Sequence, residues 1–176
     1  MRWARSQAEL LNIDPKRVAT YGESAGGLLA AATAITGETP TKEELNAVPN
    51  ALVLVSPALK VENSARFLAL AGQRQDISSI ELAEHVRRGL PPTIILAGAL
   101  DAATPAETLV EFCDKMKQAK NRCELEIYPG VGHMLAPPEE KATAKENAAK
   151  TRYDAYLKVD QFLASLGYIP VQKQRN

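Results

Sequence analysis

One segment constrains this chain more than any other. Arg17-Val18-Ala19-Thr20-Tyr21 is β-prone, Gly22-Glu23-Ser24-Ala25-Gly26-Gly27 follows at once, and an alanine-rich run continues from Leu28 to about Ile35. A strand, a glycine-flanked serine and a helix with no spacer between them form the context that a G-x-S-x-G nucleophile elbow requires. The reason is steric. So sharp a turn holds Ser24 in a strained backbone conformation, expected only where Gly22 and Gly26 carry no side chain. The turn lifts the Ser24 hydroxyl to the positive end of the following helix. It also aims the backbone N–H of Ala25 at the place where an oxyanion would form. A phosphate-binding loop is the competing use of such glycines, but the Walker lysine and the G-x-G-x-x-G spacing are both missing.

The rest of the chain extends the same alternation. Ala51–Val55 and Thr93–Ala97 are near-continuous apolar runs, as strands buried on both faces are. Cys123–Tyr128 alternates polar and apolar residues and reads as a fourth strand. Helices are predicted over Met1–Asn12, with Trp3, Ala4, Ala8 and Leu11 on one face, from Pro105 through about Ala119, and over roughly Glu140–Leu166. Tyr153, Tyr156 and Phe162 are expected to form a core stripe in the last of these. Residues 57–90 are irregular, a cap-like insertion with helical pieces at Ser64–Ala71 and Ile80–Arg88. Strands alternating with helices predict one α/β domain over residues 1–176, with a parallel sheet of about four strands.

The composition narrows the function. With 45% hydrophobic residues in 176, the chain can bury a core. Its 21 basic and 21 acidic side chains cancel, leaving no net charge to draw nucleic acid or an anionic membrane. No run reaches the length of an apolar spanning helix, and no secretory signal opens the chain; the compartment is left open, cytoplasmic by default, with an upstream part as the place for any export signal. Cys113 and Cys123 are too few for a disulfide framework or a metal cluster, and are expected as two packed or free thiols.

A serine nucleophile needs a base, and the base needs an orienting carboxylate. Elbow-type sheets present them in the chain order serine, acid, histidine. Asp76 with His85 and Asp101 with His133 both satisfy that order. Functional residues of open parallel sheets sit just beyond the carboxyl ends of strands, and this separates the pairs. Asp101 follows the strand at Thr93–Gly98, and His133 follows the strand at Cys123–Tyr128. His85 falls in a helical stretch among Glu81, Glu84 and Arg87, where a surface or packing role is expected. The competing role for Asp101 is to cap the helix at Pro105, which Thr104 could do more directly. The expected site is therefore Ser24, Asp101 and His133.

These motifs make the chain resemble the C-terminal part of an α/β-hydrolase, in the branch of small carboxylesterases and carbohydrate acetyl-esterases related to hormone-sensitive lipase. The similarity rests on Ile13-Asp14-Pro15, the elbow through Gly27, Gly89-Leu90-Pro91-Pro92-Thr93, Asp101 ahead of Thr104-Pro105, Asn121 to Leu125, and Gly132-His133. It implies hydrolysis of small acyl esters, acetylated sugars among them, by Ser-His-Asp acyl transfer without metal or organic cofactor. Two features depart from the family pattern. Met134 stands after the base where glycine is common, and the upstream His-Gly-Gly-type loop carrying the second oxyanion donor is not in this sequence. The expectation is an incomplete domain with weak or no turnover, whose exposed edge strand 17–21 favours a homodimer or other self-association. A prolyl-oligopeptidase-type serine peptidase shares the elbow and the triad order and is the alternative activity. A truncated, non-catalytic remnant is the third reading.

Overall fold

The computed structural model describes residues 1–37, 46–61, 69 and 81–170. Four strands form one parallel sheet: β1 (Ala19–Glu23), β2 (Ala51–Val55), β3 (Thr93–Gly98) and β4 (Cys123–Tyr128), side by side in chain order. The register runs Ala19 beside Ala51, Leu52 beside Thr93, and Thr93 beside Cys123, so the carboxyl ends of all four strands lie along one rim. β2 and β3 are buried along their whole length, as continuous apolar runs should be in a sheet covered on both faces. β1 and β4 are the two edges of this described sheet and are more exposed. The elbow strand lies two residues later than its β-prone run predicts, because Asn50 Oδ1 accepts the Val18 N–H (3.1 Å) and pairing with β2 begins at Ala19.

The pleat divides the core in two. Leu52, Leu54, Ile95 and Ala97 face α3 (Ala25–Ile35) and α4 (Ala106–Gln118), which contribute Ala31, Leu109, Phe112 and Met116. Val53, Val55, Ile94 and Leu96 face α5 (Ala142–Ser165) and the loop residues Val131 and Leu135. Helices therefore cover both faces, the arrangement of an α/β-hydrolase.

Four expectations need correction. The N-terminal helix is two short ones, α1 (Arg2–Ser6) and α2 (Ala8–Leu11), broken at Gln7. Trp3 points outward, and the inward anchor is Arg5. Its fork of donors reaches Pro15 O (2.9 Å), Val48 O (2.9 Å), Asn50 Oδ1 (2.7 Å) and Asn46 O, closing backbone carbonyls that no apolar side chain could satisfy. In α5 only Phe162 of the three aromatic residues is core. Tyr153 and Tyr156 are exposed, and the buried stripe is Ala148, Ala155 and Phe162, where two alanines let the helix sit close to the sheet. The helix expected at Ile80–Arg88 is a single 3-10 turn, Leu82–His85, in its described part; Ile80 and the piece at Ser64–Ala71, apart from helical Ala69, lie outside the described residues.

The fourth concerns the cysteines, which are bonded to each other. Cys113 belongs to the core stripe Leu109, Phe112, Cys113, Met116 of α4, and Cys123 opens β4. The short link between helix and strand folds one back on the other and brings the two Cα atoms to 5.5 Å, within disulfide range. A ten-residue separation spanning a helix end and a strand start was the available signal. Because the bridge closes so short a loop, its reduction by dithiothreitol is expected to cost only about 2–3 kcal/mol. A lower urea midpoint in reducing buffer, absent from the Cys113→Ala/Cys123→Ala variant, would show it.

Candidate active site

Three strand ends converge on one hydrogen-bonded line. Ser24 follows β1 directly, Asp101 follows β3, and His133 follows β4. His133 Nε2 lies 2.9 Å from Ser24 Oγ, and His133 Nδ1 lies 2.9 Å from Asp101 Oδ2 and 3.1 Å from Oδ1. His85 is exposed on the 3-10 turn at Leu82–His85, and Asp76 lies outside the described residues.

The elbow is built as the spacing requires, with one change of glycine. Ser24 has φ 50° and ψ −121°, a left-handed conformation that non-glycine residues seldom adopt. Its backbone is pinned on both sides: its N–H donates to Val55 O (3.0 Å), and its carbonyl accepts from Leu28 N (3.2 Å) and Ala58 N (3.0 Å). A Cβ on Gly22 would stand 2.3 Å from Gly26 O, so Gly22 is sterically required. A Cβ on Gly26 would meet nothing among the described residues, contrary to expectation. The second required glycine is Gly27, where a Cβ would stand 2.7 Å from Pro57 Cβ. The Ala25 amide lies in the first turn of α3, where backbone N–H groups have no partner within the helix.

The Asp101 side chain is fully buried. Its Oδ1 accepts from the amides of Ala103 and Thr104 (both 2.9 Å), and its Oδ2 accepts from Thr104 Oγ1 (2.6 Å). Thr104 therefore serves the carboxylate and does not cap α4, whose N-cap, Pro105, makes no side-chain hydrogen bond. Burial pushes the Asp101 carboxyl up. Hydrogen bonds from the Thr104 hydroxyl and amide, from His133 and from Ser56 outweigh it and hold its pKa below the usual carboxylate value. An ionised Asp101 can only accept, so the proton on His133 sits at Nδ1 and leaves Nε2 to accept from the Ser24 hydroxyl.

The loop carrying His133 is wedged against the acid loop. Ala99 N donates to Tyr128 O (2.8 Å) and Leu100 N to Val131 O (2.9 Å). Gly98 makes room, since a Cβ there would stand 2.3 Å from Gly132 O and 2.4 Å from Val131 O. After His133 the chain turns through Met134 (φ 54°) and Leu135 (φ 56°), two successive non-glycine residues with positive φ. Leu100, in the acid loop, and Met134, after the base, stay exposed.

Gly27, Gly98 and Ser56 were not among the expected site residues. Ser56 had a usable signal, being the polar residue that ends the apolar run of β2, in the place that singled out Asp101 after β3.

The chain is similar to a family of peptidases and to several esterases. The model of the Prolyl oligopeptidase family matches residues 1–158. An acetylxylan esterase of Xylanibacter ruminicola is 28% identical over 143 residues, covering 75% of this chain and 28% of that protein. Among solved structures, esterase 2 of Thermogutta terrifontis with butyrate bound is 30% identical, with a TM-score of 0.74 over 98% of this chain and 64% of that one. The same esterase phosphorylated by paraoxon is 29% identical, with a TM-score of 0.76 over 97% of this chain and 62% of that one. The chain thus spans under two thirds of the length of these relatives.

Proposed function

Because the chain belongs to the Prolyl oligopeptidase family and has the α/β-hydrolase fold, we propose that it is a serine hydrolase of carboxylic esters, acting on small acyl groups through Ser24, His133 and Asp101. The observation that carries this reading is the unbroken line from Ser24 Oγ through both imidazole nitrogens to a buried carboxylate, with 2.9 Å at each end.

His133 Nε2 takes the Ser24 proton as Oγ attacks the ester carbonyl carbon. The carbonyl oxygen gains the negative charge and is met by the Ala25 N–H at the positive end of α3. Asp101 stays ionised and stabilises the imidazolium that forms. The imidazolium then returns its proton to the leaving alcohol, and an acyl group remains on Ser24. Water, deprotonated by the same imidazole, attacks that acyl group and regenerates the serine.

Two relatives support an ester of a small acid over a peptide bond: one is an acetylxylan esterase, and the other is an esterase whose structure holds butyrate. Nothing in the site requires an alcohol of a particular kind. The test uses paraoxon labelling followed by mass spectrometry, together with p-nitrophenyl acetate, p-nitrophenyl butyrate and an acyl-p-nitroanilide. Covalent modification confined to Ser24 is expected, with ester cleavage and much slower anilide cleavage. Faster anilide cleavage would favour the peptidase activity, and an unlabelled Ser24 with no hydrolysis would sink both.

A further inference from the structure

The turn that ends β2, residues 55–58, reaches both the elbow and the loop that carries His133. Val55 O and Ala58 N hold the two sides of the Ser24 backbone. Between them stands Ser56, fully buried, with φ 43°. Its own N–H continues the sheet, donating to Leu96 O at 2.8 Å. Its hydroxyl accepts the N–H of Met134, the residue after His133, at 3.0 Å. The same hydroxyl also helps to hold the Asp101 pKa below the usual carboxylate value. A hydroxyl has lone pairs to accept with, so it can hold the Met134 N–H and keep its own proton for another acceptor.

Ordinary packing does not account for this residue. A serine with positive φ at a fully buried position is a strained choice that persists only where the surroundings over-determine it. The loop it holds is strained too, since Met134 and Leu135 both have positive φ. Releasing the Met134 N–H would orphan a backbone donor beside the buried turn and let that loop relax, and His133 is the residue it carries.

We propose that Ser56 is a positioning residue for this site, its hydroxyl holding the Met134 N–H and with it the base loop, so that His133 Nε2 stays in line with Ser24 Oγ. The role rests on the serine-hydrolase reading, and it adds a fourth strand end to the three already used. β1 supplies Ser24, β2 supplies Ser56, β3 supplies Asp101 and β4 supplies His133.

The test compares the unaltered chain with Ser56→Gly and Ser56→Ala. Glycine removes the hydroxyl and relieves the positive φ, so it folds without the backbone strain that alanine retains. Both variants are expected to lower kcat for p-nitrophenyl acetate by about 10- to 100-fold with KM little changed, since displacing a reacting group by about 1 Å costs rate on that scale. Adding Met134→Gly removes the strain in the base loop and is expected to restore a substantial part of the loss, which a merely structural role for Ser56 would not give. A second readout does not depend on turnover. In the unaltered chain the His133 Nδ1–H proton resonance is expected to be sharp and the Met134 amide slow to exchange. In Ser56→Gly the first should broaden and the second exchange at least tenfold faster, with exposed His85 as the unchanged internal reference. If the unaltered chain hydrolyses nothing but these two signals change, the clamp stands and the hydrolase reading fails. If kcat stays within twofold and both signals are unchanged, the clamp is overturned.

Discussion

Ser24→Ala is expected to lower ester hydrolysis by about 10⁴- to 10⁶-fold, and His133→Ala to do nearly the same, with the double variant no worse than either. The geometry requires this pattern. The Ser24 hydroxyl is an ordinary alcohol until Nε2 at 2.9 Å removes its proton, and Nε2 has nothing to activate once the hydroxyl is gone. Asp101→Asn should cost about 10⁴-fold in kcat while leaving the fold intact, because an amide can donate where the carboxylate only accepts and so selects the wrong imidazole tautomer. Burst kinetics with p-nitrophenyl acetate separate the steps. A loss of the acylation burst in all three variants is the expected result. A His133→Ala protein within tenfold of the unaltered chain would remove His133 from the role of base.

Gly98→Ala should be nearly as damaging although no reacting atom is touched. The new Cβ would stand 2.3 Å from Gly132 O and 2.4 Å from Val131 O, and both are backbone atoms on the segment that leads into His133. Neither can rotate away as a side-chain tip would. Relief therefore requires the base loop to move by roughly an ångström from the acid loop, which the bonds Ala99 N to Tyr128 O and Leu100 N to Val131 O resist. The expected outcome is a drop in kcat of about 100-fold or more, with about 1–3 kcal/mol of lost stability from the forced contact. Activity measured well below the unfolding temperature, beside a urea titration, distinguishes the two effects. Full activity in a destabilised protein would show that the loop yields without displacing the imidazole.

The juxtaposition of Ser24, His133 and Asp101 was legible because it obeys rules that act over short distances in sequence. Ser24 declares itself through the glycines around it, and Asp101 and His133 through their places after strands. The sheet was legible for a similar reason: Ala51–Val55 and Thr93–Gly98 are apolar at every position, which only burial on both faces explains. What the sequence hid depends on contacts between distant segments. Gly27 is required because Pro57 lies over it, and Gly98 because residues 131–132 cross it, and neither approach can be read from the local pattern. Arg5 was concealed in an amphipathic pattern that promised Trp3 as the anchor, until carbonyls from residues 15, 46 and 48 gathered around its guanidinium. Tyr153 and Tyr156 were misassigned because helical spacing says which residues share a face and not which face turns inward. The cysteines followed the same logic, each a plausible core thiol alone and a bonded pair once α4 folds back on β4.

The simple side-by-side order of the strands also sets a timetable for synthesis. Ser24 leaves the ribosome 109 residues before the histidine that would activate it, an interval on the order of 5–20 s at ordinary rates of translation. Throughout it, β1 and α3 can form the elbow, yet no base stands beside the hydroxyl. On the proposed mechanism the Ser24 hydroxyl is therefore disarmed while the chain is nascent. On the same mechanism it would become reactive only when β4, the last of the described strands, docks, so an organophosphate probe applied to stalled chains is expected to report that docking.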